Sequence, residues 1–281
     1  MTAPLGLIAG LGDLPVQVAQ TATANGQGVY VLRLKGFEEP RLSVFPGDVV
    51  GIAQLGRVFK AFKSAGCQQV CFAGIVKRPD FSALKPDMTG MALLPRVLNA
   101  ARKGDDALLR VLIEAFEKEG FEVISAEQVT ASLQAGEGLI AGSKPNEQTL
   151  ADLKKAAEIA SDLGRHDIGQ GVIVCDGLVL CVEAQEGTDA MLARCSALDS
   201  ALRGTPETRR GVLVKRPKPI QDRRIDLPTI GIATLEGAAK AGLAGIGFEA
   251  GGALLIGGEA LIAKAEMLGL VLYGFPKDWG K

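Results

Sequence analysis

Short apolar runs alternate with amphipathic stretches through the first half of this chain, and glycines punctuate them. That rhythm constrains the fold more than any other feature. Leu5 to Ala9 reads as a strand, a glycine turn follows, and Leu14 to Ala24 has helical spacing. Val29 to Leu34 is a second strand, Gly56 to Ala65 a helix, and Gln69 to Ile75 a third strand. Met91 to Ala100 and Asp105 to Glu119 read as helices and Phe121 to Ser125 as a fourth strand. Strands that alternate with helices bury both faces of a parallel sheet. The fold class expected is therefore α/β, with a Rossmann-like parallel-sheet domain at the N-terminus. The 36 glycines fall mostly at the ends of apolar runs, where tight strand-to-helix turns need them.

Periodicity is lost from Ala126 to Pro145 and resumes at Asn146-Glu147, with Leu150, Leu153, Ala157 and Ala160 on one helical face. This divides the chain into residues 1–135, an N-terminal nucleotide- or phosphate-binding domain, and residues 136–281, a catalytic mixed α/β domain. In the second part Gly171 to Cys175 and Leu178 to Glu183 flank Asp176-Gly177, a two-residue hairpin signal. Thr188 to Leu202 reads as a helix, Gly211 to Lys215 as a strand and Thr234 to Ala241 as a helix. The tail alternates again, with strands at Ala244 to Phe248, Ala253 to Ile256 and Gly269 to Tyr273 around a helix at Glu259 to Met267.

A formal net charge of -1 argues against a nucleic-acid binder, which needs a basic excess to neutralise phosphates. The five cysteines form no CxxC pair, which argues against zinc, and the single histidine, His166, leaves little room for a Ser-His-Asp triad. Carboxylates, lysines and a bound metal are the reagents left. No signal peptide and no membrane-spanning run is evident, since Glu249, Glu259, Lys264 and Glu266 interrupt the most apolar stretch. The expected location is cytoplasmic, with peripheral contact at the inner face of the inner membrane left open.

Gly10-Leu11-Gly12-Asp13-Leu14-Pro15 follows the first strand and opens a helix, the placement of a phosphate-cradling turn. As a dinucleotide fingerprint it fails, because Pro15 replaces the third glycine and the second strand ends at Arg33-Leu34-Lys35 instead of an acid. NAD is not expected. A tight turn with a proline starting the helix accounts for the same residues without a ligand. Gly74-Ile75-Val76-Lys77-Arg78-Pro79 closes the third strand, and its two cations would lie beyond the carboxyl end of the sheet near that turn.

Two segments of the second half carry the densest chemistry. Lys215 to Pro228 holds Lys215, Arg216, Lys218, Arg223 and Arg224, the acids Asp222 and Asp226, and prolines at 217, 219 and 228 that deny it a helix or a central strand. The cations can hold anionic oxygens, and the acids can hold a hard cation; a solvated loop of mutually neutralising charges is the plainer alternative. Glu183, Glu186 and Asp189 surround Gly187-Thr188, with Thr188 a natural helix cap. Carboxylates so close need solvation, protonation or a bridging cation, and oxygen ligands favour Mg²⁺ or Mn²⁺.

Five motifs occur in order: Ile8-Ala9-Gly10-x-Gly12-x-Leu14-Pro15, Ile75-Val76-Lys77-Arg78-Pro79, Asp167-Ile168-Gly169-Gln170, Val182-Glu183-Ala184-x-Glu186-Gly187-Thr188-Asp189-Ala190-Met191, and Lys218-Pro219-x-Gln221-Asp222-x-Arg224-x-Asp226-Leu227-Pro228-Thr229-Ile230-Gly231. Their order and spacing resemble the UDP-2,3-diacylglucosamine pyrophosphatases of lipid A biosynthesis, in the branch unrelated to calcineurin-like phosphoesterases. The resemblance implies hydrolysis of UDP-2,3-diacylglucosamine to UMP and 2,3-diacylglucosamine 1-phosphate (lipid X), with attack at the uridine-linked phosphorus. It also implies a divalent metal, Mg²⁺ or Mn²⁺, and two domains that clasp the substrate.

On that resemblance the essential acid is Asp226, with Asp189 the second carboxylate, both catalytic and both at the metal. Gly10, Gly12, Asp13, Leu14, Gly74, Ile75, Lys77, Gln170, Thr188, Lys215 and Gln221 become substrate-binding residues. Segments such as Met91 to Leu98 are candidates to line an acyl-chain cleft. The partners implied are UDP-diacylglucosamine, lipid X and the inner-membrane surface, with no nucleic acid; the oligomeric state stays open, a homodimer among the options. The competing readings are a non-catalytic binding protein for a phosphorylated glycolipid or nucleotide, and an oxidoreductase on a Rossmann domain.

Overall fold

All five positions of strand β1 (Leu5–Ala9) are buried, as a central strand covered on both faces must be. The computed structural model describes residues 2–77, 79–219, 222–224 and 227–279. The chain divides into two units, Met1–Ala131 and Ser132–Lys281.

In the first unit β1 is followed by α1 (Asp13–Ala24), β2 (Val29–Leu34), β3 (Gly47–Val50), α2 (Leu55–Ser64), β4 (Gln69–Ala73), α3 (Met88–Ala101), α4 (Asp105–Lys118), β5 (Glu122–Ile124) and the single turn α5 (Ala126–Val129). The strands form one sheet in the order β3-β2-β1-β4-β5, parallel throughout. Leu7 lies opposite Val31 on one side and Cys71 on the other. This is the doubly wound order, whose strand order reverses at β1 and opens a crevice beyond the carboxyl ends of β1 and β4. The core between the sheet and its helices is aromatic: Phe116 meets Phe59 at 4.9 Å and Phe72 at 5.0 Å, both edge-on. Strand β3 was not expected from the sequence. It is a four-residue edge strand with one buried position, too short and too exposed to show an apolar pattern.

The second unit contains β6 (Gly138–Ala141), α6 (Glu147–Arg165), β7 (Gly171–Cys175), β8 (Leu178–Val182), α7 (Gly187–Ser196), β9 (Val212–Lys215), β10 (Thr229–Ile230), α8 (Ile232–Lys240), β11 (Gly245–Glu249), β12 (Leu254–Leu255), α9 (Glu259–Met267) and β13 (Val271–Phe275). Its main sheet runs β6-β13-β11-β9-β7-β8. Strands β9, β11 and β13 are parallel, while β6 and the β7–β8 hairpin run antiparallel to their neighbours. Alternation along the strands makes two cores. Val172, Val174, Val212 and Val214 face Leu153, Ala156, Ala157 and Ala160 of α6. Ile173, Leu213, Ile246 and Phe248 face α7, α8 and α9 through Met191, Leu192, Leu235 and Leu261. The chain is thus α/β, a parallel sheet followed by a mixed one.

Two local features show how sequence sets these elements. Asp176 and Gly177 both adopt positive φ, 50° and 77°, as a two-residue hairpin turn requires. Buried Asp152 on α6 receives both turn amides, Asp176 at 2.9 Å and Gly177 at 2.8 Å, and the Gln148 amide at 3.0 Å. Helix α7, expected to reach Leu202, stops at Ser196. Asp199 then bonds the amide of Ala201 at 2.9 Å, and a side-chain turn of this kind competes with helix propagation.

Candidate functional site

At the carboxyl end of the first sheet two glycine turns pack backbone to backbone. The Leu11 amide donates to Ile75 O at 3.0 Å and the Ile75 amide returns to Leu11 O at 2.8 Å. A Cβ on Gly10 would lie 2.6 Å from Ile75 O, and one on Gly74, whose φ is +100°, 2.8 Å from Gly10 C. Both positions therefore demand glycine for the chain's own contact. Leu11 and Ile75 are exposed, 37% and 65%, so the paired turns present an apolar ridge.

Gly12 is different. Its φ is +102°, and a Cβ there would meet only Ile75 Cδ1 at 3.9 Å, an ordinary contact. Its amide, the group a phosphate would use, donates instead to Glu39 Oε2 at 3.1 Å. Glu39 is buried, and Arg41 holds its other oxygen through Nε at 2.7 Å. The Arg41 guanidinium brings the Glu39 carboxyl down to about 2 against the opposing effect of burial, with the Gly12 amide assisting. Arg41 also donates to exposed Asp13 at 2.7 Å. The sequence offers no acid at the end of β2, yet Glu39, beyond that strand, brings one back to the glycine turn. Its signal was the acidic pair Glu38-Glu39 ahead of Pro40, which starts a short 3₁₀ turn. Lys77 is exposed, Leu14 is half-buried, and Arg78 lies outside the described residues.

In the second unit the site elements gather around the start of β7. Gln170 accepts the Arg216 amide through its carbonyl at 2.9 Å, while its buried side-chain Oε1 has no partner among the described residues. Gly169 and Gly171 are glycine because Glu183 covers them. A Cβ on Gly169 would meet Glu183 O, and one on Gly171 would stand 2.4 Å from Glu183 Oε2. Glu183 is 6% exposed; its Oε1 receives the Thr188 hydroxyl at 2.7 Å, and its Oε2 receives nothing from the described residues. Thr188 therefore does not cap α7 as the sequence suggested. The N-cap is Glu186, and the Thr188 hydroxyl turns back to the buried acid. Glu186 pairs with Arg194 at 2.7 Å, and Asp189 is exposed in the first turn of α7.

The basic segment after β9 is mostly engaged with its own unit. Lys215 ends central strand β9, as the run Gly211 to Lys215 indicated, and is buried, with Nζ on Thr229 O at 3.0 Å. Arg216 is buried and pairs with Glu249 at 3.0 Å, its guanidinium also donating to the carbonyls of Lys277 and Trp279 at 2.6 and 2.5 Å. Arg223 takes the second Glu249 oxygen at 2.6 Å, and Lys218 pairs with Asp167 at 2.5 Å. Asp222, one of the acids that could hold a cation, accepts a fork from Arg224 at 3.0 and 2.8 Å. Asp226 and Gln221 lie outside the described residues.

Residues 4–133 match the LpxI N-terminal domain and residues 136–273 the LpxI C-terminal domain. The chain belongs to the LpxI family. A relative from Caulobacter vibrioides (strain ATCC 19089 / CIP 103742 / CB 15), named UDP-2,3-diacylglucosamine pyrophosphatase LpxI, is 54% identical over 270 residues, covering 96% of each chain. The LpxI motifs read from the sequence thus led to the right family. Among solved structures, N5-carboxyaminoimidazole ribonucleotide synthetase from Thermotoga maritima aligns at 12% identity and a TM-score of 0.23. That alignment covers 66% of this chain, which spans 42% of that one, a likeness too slight to bear on fold or activity.

A hard divalent cation is compatible with this LpxI chain's donors as far as they are described. Asp189 is an exposed carboxylate, and Glu183 Oε2 is an orphaned acceptor close by in sequence. Among the described residues no group of three His, Cys, Asp or Glu could hold a metal.

Proposed function

We propose that this chain hydrolyses the pyrophosphate bond of UDP-2,3-diacylglucosamine in lipid A biosynthesis, releasing UMP and 2,3-diacylglucosamine 1-phosphate (lipid X). The observation that carries this reading is the 54% identity, over 96% of both chains, to a relative bearing the name of that activity. In the reaction a water oxygen bonds to the uridine-linked phosphorus. The bond from that phosphorus to the bridging oxygen breaks, and the bridging oxygen leaves with the sugar phosphate.

Asp226 and Asp189 are proposed to hold Mg²⁺ or Mn²⁺, which supplies charge neutralisation and a more acidic bound water. Lys215 and Lys77 are assigned to phosphate oxygens, and Gln170, Gln221 and Thr188 to the substrate's polar groups. The glycine turn, with Gly10, Gly12, Asp13, Leu14, Gly74 and Ile75, is assigned to the uncharged uridine. Two facts favour uridine over phosphate there: Glu39 already occupies the Gly12 amide, and Asp13 adds a second carboxylate. Among the described residues no helix is long and apolar enough to cross a membrane. Access to the lipid is proposed to be by peripheral contact from the cytoplasm.

The experiment that tests the assignment of the reaction is Asp226→Ala measured two ways. Turnover of UDP-2,3-diacylglucosamine should fall by orders of magnitude while substrate binding persists. A near-normal rate would remove Asp226 from the mechanism, and tight lipid binding without turnover by the wild type would make the chain a carrier.

A further inference from the structure

Glu183, one residue beyond β8, lies in one row with Gly171 and Lys215 of β7 and β9. The Glu183 amide donates to Gly171 O at 2.8 Å, and Gly171 stands opposite Lys215 in the β7–β9 ladder. The two charged residues are thus about 10 Å apart along the row, two strand spacings, with a glycine between them. The missing side chain is used: Glu183 Oε2 sits 2.4 Å from where a Gly171 Cβ would be, on the side where Met191 of α7 packs.

A carboxylate this deeply buried is costly, and leaving one oxygen without a donor adds to the cost. Such a group in a folded protein calls for an explanation beyond packing. Its one bond supplies it. A carboxylate has only acceptors, so the 2.7 Å contact commits the sole proton of the Thr188 hydroxyl to Glu183 Oε1. What the half-buried Thr188 Oγ1 offers on its other side is lone pairs. It cannot donate to a phosphate oxygen while that bond stands.

We propose that Glu183 is a positioning residue that fixes the polarity of Thr188, making it a hydrogen-bond acceptor toward the ligand. The group it receives is then an O–H or N–H donor: a sugar hydroxyl, the uracil N–H or the amide N–H of the acylated sugar. Phosphate contact falls to the cations, of which Lys215 shares the row with Glu183. This inference rests on the reading that Thr188 faces the nucleotide sugar.

The test uses Glu183→Leu, which removes the acceptor, with Thr188→Val and Thr188→Ser in the full chain, assayed for turnover and for binding of UMP and lipid X separately by calorimetry. Loss of one neutral hydrogen bond predicts a rise in KM of about 3- to 10-fold for both Thr188→Val and Glu183→Leu, with kcat changed less. Thr188→Ser keeps the hydroxyl and should stay within about twofold of wild type. The double variant should be no worse than Thr188→Val alone, because the two residues act as one contact. Weakened UMP binding assigns the donor to the nucleoside; weakened lipid X binding assigns it to the sugar. Wild-type KM in both single variants, or additive losses in the double variant, would overturn the inference. A failure of the proposed reaction shows separately, as absence of turnover in the wild type.

Discussion

Glu39→Gln tests whether the glycine turn is held by an internal carboxylate. In the wild type the Glu39 carboxyl is brought from 4.5 to about 2, first by the Arg41 guanidinium and then by the amides of Gly12 and Arg41. At full effect that shift corresponds to about 3 kcal/mol. The Arg41 side chain is 52% exposed, so solvent screening reduces the expected contribution to about 1–2 kcal/mol. The sign follows from the depressed value: the contribution is present above 4.5 and is lost as pH falls from there toward about 2. Glutamine keeps an oxygen for the Gly12 amide but has no charge for Arg41. Thermal unfolding of wild type and variant over a pH series should therefore show a gap at neutral pH that narrows steadily below the ordinary glutamate range. Equal stability at neutral pH, or a gap that ignores pH, would refute this account of the turn.

Other perturbations have equally direct readouts. Asp152→Ala strips the acceptor from two turn amides and a glutamine amide, and urea unfolding should show a loss of about 2–3 kcal/mol; a loss under half that would mean the hairpin does not depend on α6. Glu249→Gln leaves Arg216 buried without its counter-charge and should cost about 3–5 kcal/mol, whereas near-wild-type stability would show that the pair is dispensable. The five cysteines are all buried, and burial pushes the Cys71 and Cys195 thiols up to about 12, so native protein at mildly alkaline pH should resist thiol reagents and label fully only when unfolded.

The fold was legible where a short apolar run or a helical period is carried within the element itself. Val29–Leu34, Gly171–Cys175 and Glu259–Met267 occupy the residues their patterns indicated. Three strands went unseen: Gly47–Val50 and Gly138–Ala141 are four-residue edges with one buried position each, and Thr229–Ile230 is only two residues long. Gly138–Ala141 exists because Val271–Phe275, from the far end of the chain, pairs with it, and no local pattern carries that.

The site divides the same way. The positions of Gly10 and Gly74 were readable, but the reason, two turns meeting backbone to backbone, lies in a contact between distant segments. Glu39 reaches Gly12 across 27 residues and Arg216 reaches Glu249 across 33, so neither pairing had a spacing to betray it. The cations after Lys215 looked like free phosphate ligands because their partners Asp167 and Glu249 are remote in sequence.

The central claim meets its most direct test in one assay: purified protein, UDP-2,3-diacylglucosamine and heavy-oxygen water, with Mg²⁺ or Mn²⁺ supplied or chelated. The account predicts stoichiometric UMP and lipid X, the heavy oxygen in UMP, and no release after chelation. Heavy oxygen in lipid X would contradict attack at the uridine-linked phosphorus. Full activity after exhaustive chelation would contradict the metal, and no UMP under any condition would contradict the reaction itself.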